Sequence, residues 1–419
     1  MNYKKFIDKE IVQFKNNGFS RTFTPIYRYQ NSFPFSKVQF ETKMEKEEQT
    51  PEPNTQIWCS NDYLNMSHNP EVIDEMVSVI RKVGTGSGGT RNISGTTPYH
   101  NNLEKKLATY HQREKALVFT SAYVANQATI STLCKKIKDI HVFSDELNHA
   151  CLIEGIQNSK SPYSIFKHND LEHLEELLKS IEIDQPKIII FESLYSMDGT
   201  ETKVSDYVKL AKKYNALTYL DEVHAVGLYG KGGRGVAHKN GVSDEIDIIN
   251  GTLAKGFGQI GGYIVGDKSL IEFIRCFTPG FIFTTSMMPS IAAAAAKSID
   301  IVEKSDRLRK DIFFKANYLR LKLKRINIPF INSNSHIIPL LVYETERAKA
   351  YSNTLLKYHK CYVQPIFYPT VPKNSARLRI TITPKHSLDD IDNLVLALKN
   401  VWGENTKSKI SHRLNTYAI

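Results

Sequence analysis

Between about residue 60 and residue 300, short runs rich in β-branched and aromatic residues alternate with stretches of helical periodicity. No other feature limits the fold of this chain as much. The short runs are 116–119, 140–143, 187–191, 217–220 and 247–250, and helical stretches such as 171–181 and 204–214 lie between them. Strands that alternate with helices predict an open, mostly parallel α/β sheet. Such sheets bind ligands outside the carboxyl ends of their strands. Ser144, Glu192, Asp221 and Thr252 each fall just after a predicted strand and are expected to converge on one crevice.

The last hundred or so residues read differently. A strand is predicted over 336–343 and a helix over 345–359. Residues 377–383 alternate strictly, with Leu378, Ile380 and Ile382 on one face and Arg377, Arg379 and Thr381 on the other. Ser387 and Asp390 form a capping-box start for a helix over 388–402, whose apolar stripe is Ile391, Leu394, Val395 and Leu398. This predicts a smaller α+β domain. At the other end, Tyr3, Phe6, Ile7, Ile11 and Phe14 recur at roughly helical spacing and predict a surface amphipathic helix. The polar stretch 43–54, with Pro51 and Pro53, reads as a loop closing an N-terminal segment. The expected organisation is an N-terminal segment 1–60, a large domain 61–300, a small domain 301–405 and a mobile polar tail 406–419.

Composition excludes several classes of function. No apolar run is long enough to cross a bilayer, so no membrane association is expected. Asp8 and Glu10 among the first lysines argue against a transit peptide, and no signal-peptide core is present. Five scattered cysteines fit reduced thiols in a cytosol-like compartment, and form no zinc motif. A cytoplasmic location is therefore expected, or the mitochondrial matrix if the chain is a processed eukaryotic core. The net charge of +11 is spread along the chain without a nucleic-acid module, so no nucleic-acid partner is expected. The same field would favour a phosphate-rich substrate such as a coenzyme A thioester.

The chemistry is concentrated in two segments. Gly251-Thr252-Leu253-Ala254-Lys255-Gly256-Phe257-Gly258 places one lysine among glycines after an apolar run, and Leu220-Asp221-Glu222-Val223-His224 places an acid and a histidine three residues apart. Singly, these read as a surface lysine on a turn, a helix cap and a core histidine. Together they are what pyridoxal phosphate requires: an imine-forming lysine, an acid for the ring nitrogen and a histidine for the phenolic oxygen. Thr120-Ser121-Ala122-Tyr123, opening a helix after a strand, is a candidate phosphate site or a plain N-cap. His149 could stack on a flat ring or fill the core. The glycine-rich run 84–95 fits neither the dinucleotide nor the P-loop fingerprint, and reads as a flexible turn or as a loop laid against a ligand. No metal site is expected.

At these residues the chain resembles the α-oxoamine synthases, a branch of the fold-type I pyridoxal-phosphate enzymes, over about 21–402. The motifs that carry the resemblance include Trp58-Cys59-Ser60-Asn61-Asp62-Tyr63-Leu64, Gly88-Gly89-Thr90-Arg91-Asn92-Ile93-Ser94-Gly95, Tyr195-Ser196-Met197-Asp198-Gly199 and Tyr368-Pro369-Thr370-Val371-Pro372. The resemblance implies a large, mostly parallel seven-stranded sheet domain with a smaller C-terminal α+β domain, in a homodimer with shared active sites. It further implies condensation of glycine with succinyl-CoA to 5-aminolevulinate, CoA and carbon dioxide. In that scheme Lys255, Asp221, His224 and His149 are catalytic. Lys255 would bind the cofactor aldehyde and move the glycine proton, Asp221 would hold the ring nitrogen, and His149 would stack on the ring. His224 and Ser196 would lie at the phenolic side. Ala122, Tyr123 and Thr252, with Thr284 and Thr285 of the partner subunit, would hold the phosphate. Arg379 and Asn61 would take the glycine carboxylate. Arg21, Thr90, Asn92 and Thr370 would receive the succinyl group, and Ser144 matches another position of the acyl-CoA site. Gln127, Gly256 and the run 377–383 look like the sister 8-amino-7-oxononanoate synthases. A sister synthase using another acyl-CoA or amino acid, that enzyme or a 2-amino-3-ketobutyrate CoA ligase, is the alternative.

Overall fold

The computed structural model describes residues 1–39 and 53–415, with side chains to residue 403. Most of the loop expected over 43–54 lies outside the described residues. The chain divides into two units, one comprising Asn61–Ser196 and Thr200–Lys310, the other Met1–Ser60, Met197–Gly199 and Asp311–Ile419.

The first unit is built on seven strands: β1 (Lys115–Phe119), β2 (His141–Asp145), β3 (Tyr163–Phe166), β4 (Lys187–Glu192), β5 (Ala216–Asp221), β6 (Ile248–Thr252) and β7 (Gly262–Gly266). They lie in the order β1-β7-β6-β5-β4-β2-β3. Strands β2 to β6 pair in parallel, whereas β7 runs antiparallel to both of its neighbours. This is the mostly parallel sheet that the alternation predicts, extended by two strands. β3, at four residues, is the shortest of the seven, and β7 starts and ends on glycine, which weakens the local strand signal. All six residues of β4 are buried, as expected of a central parallel strand covered on both faces. Leu117, Ile130, Leu133, Val142, Ile188, Tyr219, Ile248 and Ile264 join sheet and helices in one apolar core.

Register brings the strand ends level. Glu192 pairs with Asp221, Asp221 with Asn250, Thr252 with Gly262, and Gly262 with Phe119. The helix Ala122–Lys136 starts immediately over this edge. A Cβ on Gly262 would overlap the backbone of Ser121 and Ala122, so glycine is what lets the helix start sit on the sheet.

The second unit holds a four-stranded sheet (Ile26–Tyr27, Phe35–Val38, Thr55–Ile57, Cys361–Tyr362) and a three-stranded one (Ile337–Tyr343, Ala376–Thr381, Pro365–Ile366). Its core includes Trp58, Leu319, Leu340, Leu378, Ile380, Leu394 and Leu398. Along Ala376–Thr381 every residue is buried, so the arginine face of that strand is as enclosed as its apolar face. Arg377 donates there to the carbonyls of Ser375 and Met197. The capping box is present: Asp390 N–H donates to Ser387 Oγ at 3.0 Å and Ser387 N–H to Asp390 Oδ2 at 2.8 Å. The helix that follows, Leu388–Asn415, runs on beyond residue 402, where the sequence pattern places its end, and into the tail expected from residue 406. Gly403 is a weak stop: no proline follows it, and a glycine inside a helix costs only about 1 kcal/mol. Residues 416–419 lie outside the described residues. The N-terminal helix, Tyr3–Asn16, buries none of its side chains. All five cysteines are free. Among the described residues no helix is long and apolar enough to cross a membrane, and no cluster of metal-ligating side chains is present.

Two glycine substitutions separate close approach from simple helix entropy. Gly262→Ala should destabilise the protein by roughly 1–3 kcal/mol through overpacking. Gly403→Ala, with nothing within 4 Å of the added methyl, should stabilise it by up to about 1 kcal/mol. Urea unfolding midpoints give the two signs, and a neutral Gly262→Ala would refute the packing argument.

Candidate active site

The levelled strand ends open onto a cavity of about 210 Å³ lined by Ser121, Ala122, Tyr123, Asn126, His149, Cys151, Glu192, Asp221, Val223, His224, Thr252 and Lys255. Three strands contribute their last residue: Glu192 from β4, Asp221 from β5 and Thr252 from β6. Lys255 sits on the turn after β6. Its glycine neighbour has a specific cause, since a Cβ on Gly256 would overlap the carbonyl of Val226. The lysine turn is thereby packed backbone to backbone against the turn that carries His224. Close approach here is to the chain itself, rather than to a ligand.

Lys255 Nζ lies 2.8 Å from His224 Nε2, and His224 Nδ1 lies 2.8 Å from the hydroxyl of Tyr63. Tyr63 in turn donates to Asn61 Oδ1 at 3.3 Å. With the lysine as donor, Nε2 accepts and Nδ1 carries the proton given to Tyr63, so one tautomer satisfies the whole chain of bonds. Tyr63 is fully buried. Its part in this chain has no counterpart in local sequence pattern.

Asp221 is the buried anion of the site. Its Oδ1 accepts from Val223 N–H at 2.7 Å, and its Oδ2 accepts from the amides of Asn126 at 2.6 Å and Asn250 at 3.3 Å. Burial holds its pKa above the ordinary carboxylate value, against the pull of those N–H donors and of Lys255 and His149. Glu192, its neighbour in register, is pushed up further, first by burial and then by the charge of Asp221. Its Oε1 accepts the backbone N–H of His149 at 2.6 Å. His149 is the N-cap of the helix Ala150–Ser159: its Nδ1 accepts from Cys151 N–H at 3.2 Å, and burial lowers its pKa. At the opposite wall Ser121 caps the helix Ala122–Lys136 through Val124 N–H, so the cap and the helix start facing the cavity coexist.

The residues expected from sequence fall into groups. Lys255, Asp221, His224, His149, Thr252, Ala122 and Tyr123 line the one cavity. Ser144 does not join them, which corrects the expectation of four converging strand ends. It lies inside β2 and lines a separate cavity of about 80 Å³ with Asp145, Ile156 and Tyr163, because β2 lies one strand beyond β4 toward the sheet edge. Ser196 is half-buried in the turn after Tyr195. Thr90 bridges Thr285 in antiparallel fashion, and Thr90 Oγ1 donates to Asn92 Oδ1 at 2.6 Å. The glycine-rich run therefore lies along 284–286, and Thr284 and Thr285 line a different small cavity beside Arg91 and Phe281. In the other unit, Arg21 Nη2 donates to Thr370 Oγ1 at 2.7 Å, and Arg379 is buried in its strand. Glu192 lines the cavity as its place after a predicted strand implies, whereas Asn126, Asn250 and Cys151 enter the site as neighbours that sequence analysis gave no role.

A cavity that presents an amine, a buried carboxylate held by neutral donors, and a helix start suits an aldehyde, a cationic ring nitrogen and a phosphate on one flat molecule. The donor set thus fits pyridoxal phosphate, and fold and site together define a pyridoxal-phosphate-dependent transferase of fold type I. The family profile "Aminotransferase class I and II" matches residues 54–398. The 5-aminolevulinate synthase of Rickettsia bellii is 46% identical over 400 residues, covering 96% of this chain and 94% of that protein. That of Rhodobacter capsulatus is 44% identical over 407 residues, covering 96% and 97%. Among solved structures, serine palmitoyltransferase from S. paucimobilis superposes with a TM-score of 0.86 at 26% identity, covering 96% of this chain and 98% of that one. The chain belongs to the 5-aminolevulinate synthase family.

Glu222 shows how the loop after β5 is anchored. Its carboxylate accepts from Ser193 Oγ and from the N–H groups of Val236 and Ala237, and burial raises its pKa from 4.5 to about 7. Below pH 4.5 folded and unfolded chains both carry this proton, and between 4.5 and 7 only the folded chain keeps it. Stability must therefore fall across that window by roughly 3 kcal/mol on this account and stay lower above it. Glu222→Gln should lose a smaller part of its stability between pH 5 and pH 8 than the wild type in urea titrations. An equal loss in both would refute the assignment.

Proposed function

We propose that this chain is a homodimeric acyltransferase that uses pyridoxal phosphate to condense glycine with succinyl-CoA, giving 5-aminolevulinate, CoA and carbon dioxide at the entry to haem synthesis. The observation that carries this reading is the bonded pair Lys255–His224 beside buried Asp221, in a chain aligned over 96% of its length with synthases of this name.

Pyridoxal phosphate, when bound, supplies an aldehyde for an amine and an electron-poor ring that stabilises a carbanion beside it. The rest is the work of this chain. Asp221 pairs with the ring nitrogen and keeps it cationic. His149 covers one ring face, and His224 and Ser196 serve the phenolic side. Thr252, Ala122 and Tyr123 take the phosphate, with Thr284 and Thr285 supplied by the second subunit. The second-copy assignment is supported by their lining a cavity other than that of Lys255 within one chain, and by the exposure of their neighbours Phe283 (78%) and Ile93 (79%). Lys255 Nζ would anchor the cofactor and, as a free amine, would accept the proton of glycine Cα. Arg379, with Asn61, would hold the glycine carboxylate and so fix the torsion of the C–H bond that is to be broken. Arg21, pre-oriented by Thr370, meets the distal carboxylate of the succinyl group, with Thr90 and Asn92 from the glycine-rich run. That carboxylate would be costly to leave unpaired in a closed site, and this makes Arg21 a discriminator between acyl groups.

The purified chain with pyridoxal phosphate should make aminoketone from glycine and succinyl-CoA faster than from acetyl-CoA or pimeloyl-CoA. Preference for alanine with pimeloyl-CoA would overturn the reading. Arg21→Ala should cut kcat/KM for succinyl-CoA by about 10²-fold or more and spare uncharged acyl groups; an equal loss on every acyl-CoA would argue against this pocket. Lys255→Ala should abolish both turnover and the visible absorption of the lysine-bound cofactor.

A further inference from the structure

The carboxylate of Asp221 is surrounded by a network that the proposed chemistry leaves unused. Asn126, wholly buried on the helix Ala122–Lys136, is fixed from both ends. Its Oδ1 accepts from Tyr219 Oη at 2.8 Å and its Nδ2 donates to Asp221 Oδ2 at 2.6 Å, with a further contact to Cys151 Sγ at 3.2 Å. Tyr219 is two residues before Asp221 on β5, so its side chain leaves the same face of the strand. An ionised carboxylate only accepts, which obliges the amide to turn its NH₂ toward Asp221 and its oxygen toward Tyr219. The tyrosine hydroxyl must then donate. The bonds run in one direction, from Tyr219 through Asn126 to Asp221, and favour the anion, which accepts more strongly than a neutral acid.

The three groups that hydrogen-bond Asp221, namely Asn126, Asn250 and the backbone of Val223, are all neutral. Neutral donors stabilise a buried anion without cancelling its charge, which stays available to a cation in the cavity. The titratable groups around it include Glu192 on β4, His149 and Cys151 at the start of the helix Ala150–Ser159, Lys255 after β6, Glu222 and His224 on the turn after β5, and Tyr219 on β5 itself. Of these, Lys255 and His149 favour the ionised form of Asp221, and Glu192 and Glu222 oppose it. The amide of Asn126 makes the shortest bond to the carboxylate and, with the N–H of Val223, favours its ionised form against burial.

We infer that Asn126, oriented by Tyr219, is a positioning residue that keeps Asp221 ionised and aimed at the cavity, and so sets how tightly the site holds a cationic ring nitrogen. This rests on the pyridoxal-phosphate reading above.

The test uses the full chain stripped of cofactor, in wild type, Asn126→Leu, Tyr219→Phe, Asp221→Asn and the double variant Asn126→Leu/Asp221→Asn. Difference infrared titration, with Asp221→Asn as the blank, reads the protonation of Asp221. Fluorescence titration reads the dissociation constant of pyridoxal phosphate. We expect the Asp221 transition to move up by at least one pH unit in Asn126→Leu and by less in Tyr219→Phe. Cofactor affinity at pH 7.5 should fall about tenfold in Asn126→Leu, and Asn126→Leu should add no further loss once Asp221 is already Asn. A loss of the same size in the Asp221→Asn background, or an unmoved Asp221 transition, would overturn the inference, because a structural role predicts both. If Asn126→Leu does not fold, Tyr219→Phe decides alone: it removes one oxygen and keeps the ring, and an unshifted transition in it refutes the orienting role. Failure of the wild type to bind pyridoxal phosphate at all would instead refute the reading on which this rests.

Discussion

A negative charge at the end of a central strand has to be held in place with almost no water. Burial of Asp221 disfavours its ionised form, and each feature around it answers that cost. Asn126 brings an amide from the helix Ala122–Lys136, Asn250 brings one from β6, and the turn after β5 folds back so that Val223 presents its N–H. Those three donors come from three elements. Holding the charge therefore fixes helix, strand and turn relative to one another, and the cavity is the space they leave.

The lysine is placed by a different device. Gly256 packs on the backbone of Val226 and Gly227, so the turn bearing Lys255 cannot move away from the turn bearing His224. A side-chain chain of bonds, Lys255–His224–Tyr63–Asn61, then sets the direction of the amine. Charge and amine are thus located by independent means: the first by hydrogen bonds from three elements, the second by contact between two turns. Both act at the carboxyl edge of the sheet, where the strand ends are level and the backbone is free to turn.

Much of this was legible before any fold was known. Hydrophobic runs located five of the seven strands, and the spacing of Asp221 and His224 with a glycine-flanked Lys255 defined the chemistry. These signals are local: a strand, the turn after it and the residues on that turn. Where the reading went astray, the cause was non-local. Ser144 lies one residue before the end of β2, one strand farther out than β4, and so meets a different cavity. The strict alternation over 377–383 correctly placed the arginines on one face, yet alternation carries no information on whether a second layer covers that face.

Sequence by itself determined five of the seven strands of the large sheet and the kind of cofactor the chain can use, since these follow from residue type and short-range spacing. Tertiary structure alone decided which side chains stand behind Asp221 and His224. Asn126 reaches Asp221 across 95 residues, and Tyr63 reaches His224 across 161. Such contacts depend on the spatial order of the strands and on how each helix or turn returns over the sheet edge. No local pattern encodes that order, because it is set by the packing of the whole core.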